Sequence, residues 1–429
     1  MSLFLFPHWS RPVCGLAVLL AAPNGIAREA PSTLTLAAAL QRTSDHNPAL
    51  AAARYDGRAA EALTEQAALR PNPTLEVSLE NLAGTGRLRG VDDLEATMQA
   101  SQTFERGDKR VKRMTAARRD RDVVAGAFAV QHADLLVTTA LAYVKALTAQ
   151  QRRALAAEPL DLARETLAAA EARVRAGDAS PAEPARARAA LASAQLDYNH
   201  AESALTRARI SLAAQWGGRP ADVPVLPGAL RVPDALPAED AFRTGLRAHP
   251  RLELQQAIIA SRRSGLELEQ AQAAGDVTIG AGLRFLRNGS DAGFVAGVSM
   301  PMPFRNKNQG NIRAAREQLT GAEQSVVAVE NILHSAFTVA WQDLAAAHAA
   351  VQNLRREALP ATEEAHAFVR RAYAGGQLPL IDVLDAQRAL VAVRRDLLEA
   401  ESAYALALVQ LESLTAPTFP ATIAILSSP

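Results

Sequence analysis

Two kinds of hydrophobic periodicity alternate along the chain. Leu34 to Leu69 is patterned as helix, and Pro71 and Pro73 end it. Leu75, Val77 and Leu79 then alternate with Glu76, Ser78 and Glu80. After a Gly-rich turn, Leu94, Ala96 and Met98 alternate with Glu95, Thr97 and Gln99. Period two predicts strands, here at about 74–82 and 92–104. The same order returns later. Val277, Ile279, Ala281, Leu283 and Phe285, then Phe294, Ala296, Val298 and Met300, predict strands at about 277–286 and 292–302. Each half thus carries one hairpin inserted between helices.

The remaining segments are heptad-patterned. Leu319, Val326, Leu333, Ala340, Ala347 and Leu354 fall seven apart, and Ala322, Val329, Ala336 and Ala350 fill the companion seam, broken at Asp343. Val383, Leu390, Leu397, Tyr404 and Leu411 repeat this in the last long helix. Val123, Val130, Val137 and Val144, and then Leu191, Tyr198, Leu205 and Leu212, repeat it in the first half. A strict seven-residue repeat implies packed, left-handed supercoiled helices. A helix from about Lys109 to Glu158 would run roughly 75 Å.

The two halves are copies. Pro48 matches Pro250 at an offset of 202, Ala116-Ala117-Arg118 matches Ala314-Ala315-Arg316 and Tyr143 matches Trp341 at 198. Ala201-Glu202-Ser203 matches Ala400-Glu401-Ser402 at 199. The expected division is a first repeat over 28–216, a Pro-rich linker over 217–237 (Pro220, Pro224, Pro227, Pro233), a second repeat over 238–415 and a tail over 416–429.

Composition narrows the class. The 429 residues include 93 alanines, more than a fifth of the chain, which suits long helices. Lys and Arg number 46 against 45 Asp and Glu, and there is no dense basic run of the kind a nucleic-acid binder needs, so no nucleic-acid partner is expected. Arg11, an apolar run from Val13 to Ala22 and small residues before Arg28 have the order of a secretory signal peptide, residues 1–27. The single cysteine, Cys14, lies inside it and follows Arg-Pro-Val, unlike a lipoprotein cleavage site. The exported chain then has no disulfide framework. No later stretch is expected to cross a membrane as a helix.

Strands of about ten residues have the length of outer-membrane strands, yet four cannot close, because the smallest barrels need about eight. Either several chains share one barrel, or the hairpins are ordinary periplasmic ones with one wet face. Export, duplication and long helices favour the shared barrel.

Catalytic motifs are absent: there is no phosphate-binding Gly-rich loop, no His-Glu-x-x-His and no Gly-x-Ser-x-Gly. Histidines 46, 132, 200, 249, 334, 348 and 366 lack ligand spacing. Met300 and Met302 are thioethers of the kind that suits soft ions, though a single pair reads better as packing on the strand face. No enzyme, no cofactor and no fixed metal site are expected. Asp382 and Asp385, three apart at the start of a helix, share a face beside the heptad seam and could line a lumen, or simply favour the positive helix end.

The signal peptide, duplicated helix–hairpin–helix unit and Pro-rich linker resemble the TolC-like outer-membrane efflux proteins over essentially the whole exported chain. Arg70-Pro71-Asn72-Pro73, Gly107-Asp108-Lys109-Arg110 and Pro301-Met302-Pro303-Phe304-Arg305-Asn306-Lys307-Asn308-Gln309-Gly310 resemble the cobalt-zinc-cadmium (CzcC-like) branch. The resemblance implies a mainly α fold with a four-stranded β part. Three such chains would form a twelve-stranded barrel in outer-membrane lipid, continued by a helical tunnel into the periplasm. The implied partners are two other copies, a periplasmic adaptor and an inner-membrane resistance-nodulation-division pump, with divalent heavy-metal cations as cargo. A multidrug or secretion duct of the same fold is the alternative within the class. A periplasmic coiled-coil scaffold or adaptor is the alternative outside it.

The resemblance also assigns the tunnel entrance. Asp382 and Asp385 would form a cation-attracting ring. Tyr373 would bond Glu183 and hold the entrance closed, while a second family lock is missing because Leu378 stands where the family has arginine. The turns containing Arg173 and Gly177, and Gly375 and Gly376, would be the tips that meet the adaptor.

Overall fold

The computed structural model describes residues 33–177, 180–415 and 418–427. The predicted signal peptide, with Cys14, lies outside them. In chain order the elements are α1 (Leu36–His46), α2 (Pro48–Ala67), β1 (Thr74–Glu80), β2 (Glu95–Phe104), α3 (Lys109–Ala176), α4 (Ala182–Ala214), α5 (Glu239–Arg243), α6 (Pro250–Gln272), β3 (Val277–Leu286), β4 (Asp291–Ser299), α7 (Gln309–Asn353), α8 (Leu359–Ala374), α9 (Leu380–Thr415) and α10 (Pro420–Ser427).

The four strands form one antiparallel sheet in the order β1-β2-β3-β4. Its centre joins the two halves of the chain, with Met98 opposite Leu283 and Phe104 opposite Val277. Register puts Leu75, Val77 and Leu79, Met98, Ile279, Leu283 and Phe285, and Phe294 and Val298 on one face. That face is bare: Phe294 is 95% exposed and Val298 73%. The opposite face is polar. There Arg284 reaches Glu95 at 3.2 Å and Thr97 at 3.0 Å, and Thr103 meets Thr278 at 3.0 Å. The Gln99 side chain lies where a Cβ at Gly280 would be, so the glycine there makes room for it.

Each outgoing strand turns into a long helix with a left-handed residue directly before the helix. Asp108 (φ 56°) precedes α3 and Asn308 (φ 60°) precedes α7. Asp and Asn tolerate this conformation better than other non-glycine residues. Gly107 (φ 69°) packs against Ala271 and Ala274 of the neighbouring helix, leaving no room for a side chain. The two motifs are therefore strand-to-helix corners.

Helix α3 does not stop at Glu158. It continues through Pro159 to Ala176, 68 residues and about 102 Å. Proline removes one backbone hydrogen bond, but Leu160, Ala163 and Ala170 are buried on the far side and carry the helix on. The other half solves the same problem differently: a single π turn, Leu354–Ala358, precedes Pro360 in the first turn of α8. Contrary to expectation, α3 also contains one stretch apolar enough in composition to cross a membrane. Its Val and Ala positions are mostly uncovered within the chain, as befits a wall helix that other helices pack against.

Two clusters form the core at mid-length of the helices. One gathers Leu34, Leu40, Tyr143, Leu147, Leu212 and Val409. The other gathers Leu333, Phe337, Leu344, Tyr404 and Leu408. The Pro-rich segment is a belt across both: Val223, Leu226 and Leu230 insert into the first and Val232 into the second. Gln150 holds both backbone groups of Leu226, at 2.9 and 3.0 Å, which replaces the pairing that a strand or helix would supply. Buried Tyr143 donates to the Leu34 carbonyl at 3.0 Å, and burial pushes its phenol up to about 12. The tail folds back as α10. Buried Glu412 caps it from a distance, accepting from the amides of Ala421 (2.6 Å) and Thr422 (2.9 Å) and from the Thr422 hydroxyl (2.5 Å).

The matched positions Asn47 and His249 both cap helices. Asn47 accepts from the amides of Ala49 (2.8 Å) and Leu50 (3.2 Å), while His249 Nδ1 accepts from the Arg251 amide at 3.1 Å. Imidazole accepts there only when that nitrogen is unprotonated. Burial, then the Arg251 charge, holds the His249 pKa below its ordinary value, against an opposite pull from Asp134. The unfolded chain therefore binds more protons. The cap's contribution is complete above about pH 6.5 and declines as pH falls through the folded pKa. His249→Asn should match the wild type in thermal melts above pH 7 and become the more stable of the two toward pH 5. His249→Ala should cost about 1 kcal/mol at neutral pH.

Candidate functional site

The ends of the helices farthest from the sheet bring the two halves of the chain together. Helix α3 ends in Arg173, Val174 and Arg175 before Gly177 (φ 83°), whose amide bonds the Val174 carbonyl at 3.1 Å. Helix α8 ends at Ala374. There the left-handed residue is Gly376 (φ 74°) rather than Gly375 (φ −83°), and bonds from Gly376 to Tyr373 (3.0 Å) and from Gln377 to Ala372 (2.9 Å) close the turn.

Tyr373 and Glu183 are brought to one place, but the expected direct bond gives way to a bridge. Arg173 Nη1 donates to the Tyr373 hydroxyl at 2.9 Å, and its guanidinium lies 5.2 Å from the ring centroid. The same guanidinium faces Glu183 Oε2 at 3.7 Å. That oxygen is buried and has no hydrogen bond among the described residues, so Arg173 is its charge partner. Arg173 was expected only as a tip residue. It ties the α3–α4 turn to the α8–α9 turn. No sequence spacing marks this, because Arg173 and Tyr373 meet only through the packing of the two halves.

Asp382 and Asp385 lie on the first two turns of α9, beside buried Val383 and Leu384. They differ in partners. Asp385 pairs with Arg388 at 2.9 Å, and both side chains are largely exposed; such a pair is worth little in stability but halves the local negative charge. Asp382 is half-buried and has no ion-pair partner among the described residues. Of the two, Asp382 is the carboxylate with no cation beside it among the described residues.

Above this tip, α4 and α9 diverge across α3 and leave a cleft of about 1020 Å³. Its floor is small, with Ala156, Ala163 and Ala190, and its rim carries Arg186, Arg207 and Arg395. Arg152, Arg388, Asp197 and Glu399 line it too, and Arg152 pairs with Glu399 at 2.8 Å. Among the described residues no three His, Cys, Asp or Glu side chains converge as metal ligands.

A bare apolar sheet on top of a long helical bundle is a combination that known proteins share. The outer membrane efflux protein family model matches the chain twice, over residues 39–218 and 244–416. The chain belongs to this family. Its relatives include the cobalt-zinc-cadmium resistance protein CzcC of Cupriavidus metallidurans, 30% identical over 86% of each chain. The nickel-cobalt-cadmium resistance protein NccC of Alcaligenes xylosoxydans xylosoxydans is 29% identical over 73% of this chain and 70% of its own. Among solved structures, the outer-membrane channel OprN superposes with a TM-score of 0.72 at 17% identity, covering 90% of this chain and 91% of OprN. CusC gives 0.66 at 18% identity, covering 89% and 92%. The fold is TolC-like, as its resemblance implied, and the protein is an outer-membrane efflux protein extending into the periplasm. Its family is one of channels rather than of enzymes.

Arg173→Ala should leave the fold intact and free both Tyr373 and Glu183. The expected outcome is a more open entrance, read as a several-fold rise in single-channel conductance in planar bilayers. Tyr373→Phe, which keeps the ring contact and loses one hydrogen bond, should give a smaller rise.

Proposed function

We propose that three copies close one barrel and one tunnel, and that the duct discharges divalent heavy-metal cations. The single observation that carries the closed barrel is the sheet. It has four strands, two unpaired edges and a face too apolar for water. In hydrocarbon each unpaired strand group costs several kcal/mol, so β4 of one copy must meet β1 of the next until the ring closes. Twelve strands lie well within the range that outer-membrane barrels adopt. The lower edges of each copy, α4 and α8, would meet in the same sense and continue the wall.

The cargo reading rests on the metal-resistance relatives and on the tip. Three copies would bring their Asp382 carboxylates toward one axis, where their field concentrates cations without binding them tightly. Arg388 tempers Asp385, so Asp382 is the main contributor and Asp385 the lesser one. Energy would come from an inner-membrane pump, with a periplasmic adaptor seated on the turns at Gly177 and Gly376. The two-repeat division, with the segment over 217–237 as a belt between the copies, fits this arrangement, as does removal of residues 1–27 on export.

Deletion of the gene should sensitise the source strain to zinc, cadmium, cobalt or nickel and leave tolerance of lipophilic drugs and bile salts unchanged. Sensitivity to drugs alone would keep the duct and remove the metal assignment. In planar bilayers, Asp382→Asn should reduce cation preference and block by trivalent cations more than Asp385→Asn does. Equal, unchanged block in both variants would remove the carboxylate ring from this account.

A further inference from the structure

The rim where the sheet meets the helices carries charge that the tunnel does not use. Four segments come together there: 69–73 before β1, 105–113 after β2, 274–276 before β3 and 300–308 after β4. They touch one another. Arg113 donates to the Leu69 carbonyl at 2.9 Å, Arg106 reaches the Met300 sulfur at 3.0 Å, and the Pro301 carbonyl lies against Gly275.

The basic residues of this rim fall into two groups. One group is held within the protein. Lys109 pairs with Asp276 at 2.6 Å and Lys112 with Glu267 at 2.8 Å, Arg113 pairs with Glu105, and Arg110 donates to the Ala68 carbonyl at 2.6 Å. These contacts join α3 to α2, to α6 and to the segments that flank β2 and β3. The other group, Arg70, Arg106, Arg305 and Lys307, is exposed, and none of the four has a carboxylate within ion-pair distance among the described residues. The rim carboxylate Asp108 acts on Lys112.

Directly beyond these four cations the surface becomes apolar. Met300, Met302 and Phe304 continue the alternation of Phe294, Ala296 and Val298 past the end of β4, and Phe304 is 81% exposed. Phe104 and Leu75 carry the same band across β2 and β1. An exposed apolar band that ends at a row of unpaired arginines and lysine has the profile of a membrane interface. The stems lie along hydrocarbon and the charged heads meet phosphates. The long helices leave from this end, so it faces the periplasmic leaflet.

We propose that this rim binds the phosphate headgroups of anionic phospholipids in the periplasmic leaflet through Arg70, Arg106, Arg305 and Lys307. The contact fixes the depth of the sheet in the bilayer. Arg106 is the best placed of the four, because its contact with Met300 holds the guanidinium at the edge of the apolar band. Each basic residue near an anionic surface adds about fivefold to the affinity.

The test uses the full-length protein purified in non-ionic detergent and offered equal phosphatidylglycerol and phosphatidylcholine. Lipid retained through gel filtration is then quantified by mass spectrometry at low and high salt. The wild type should retain phosphatidylglycerol in preference by about tenfold or more, and high salt should erase the preference. R70Q/R106Q/R305Q/K307Q should lose the preference and keep its phosphatidylcholine, while R70K/R106K/R305K should retain it. R305Q/K307Q, which leaves the Arg106–Met300 contact untouched, should lie between. Equal retention of phosphatidylglycerol by the wild type and the fourfold glutamine variant would overturn the proposal. So would displacement of the lipid by inorganic phosphate. Oligomeric state and conductance of the same preparations read the duct separately, so a failed duct and a failed lipid rim give different results.

Discussion

An antiparallel sheet with most of its large apolar side chains on the face turned away from the rest of the chain is unstable in water and incomplete in lipid. Water penalises the bare Phe294, Val298 and Leu75 surface, and hydrocarbon penalises the open edges of β1 and β4. Both penalties vanish together only when the edges are closed by other strands and the apolar face is turned to lipid. The rest of the architecture follows from that demand. The hairpins must sit at one end, the helices must leave from the same side, and the polar face with Arg284, Glu95 and Gln99 must line an interior.

The helices solve a second problem, which is how to hold a wall about 100 Å long with few large side chains. Alanine at the seams lets helices approach closely, but it buries little area per residue. Larger residues are therefore concentrated at mid-length, where Tyr143, Tyr404, Phe337 and the leucines of both clusters meet the belt. Towards the tip the packing thins to the cleft between α4 and α9, and the two halves are joined there by Arg173. A contact made of one guanidinium, one phenol and one carboxylate can be broken more cheaply than a leucine core.

The two halves of the chain meet the same local demands with different residues. A helix cap is Asn47 in one and His249 in the other, and a corner before the long helix is Asp108 or Asn308. A proline is carried straight through in α3 and absorbed by a π turn before α8. Local geometry is retained while chemistry drifts, and the histidine cap makes one of these positions sensitive to protonation in the range where imidazole titrates.

Periodicity by itself determined the elements. Alternation placed the strands on either side of each hairpin, and seven-residue spacing placed the long helices, because both patterns depend only on which side of an element is apolar. The family was legible in the corner motifs, since an Asp or Asn in left-handed conformation and prolines beside a strand are local requirements. Other features depended on which distant segments touch. Nothing near Glu412 marks it as the cap of α10, because its partners are amides with no side-chain identity. Nothing around Arg173 marks it as the bridge between Tyr373 and Glu183, because those residues come from opposite halves. The extension of α3 past Pro159 was hidden for the same reason. A proline's cost is local, but Leu160 and Ala163 offset it only once neighbouring helices cover them.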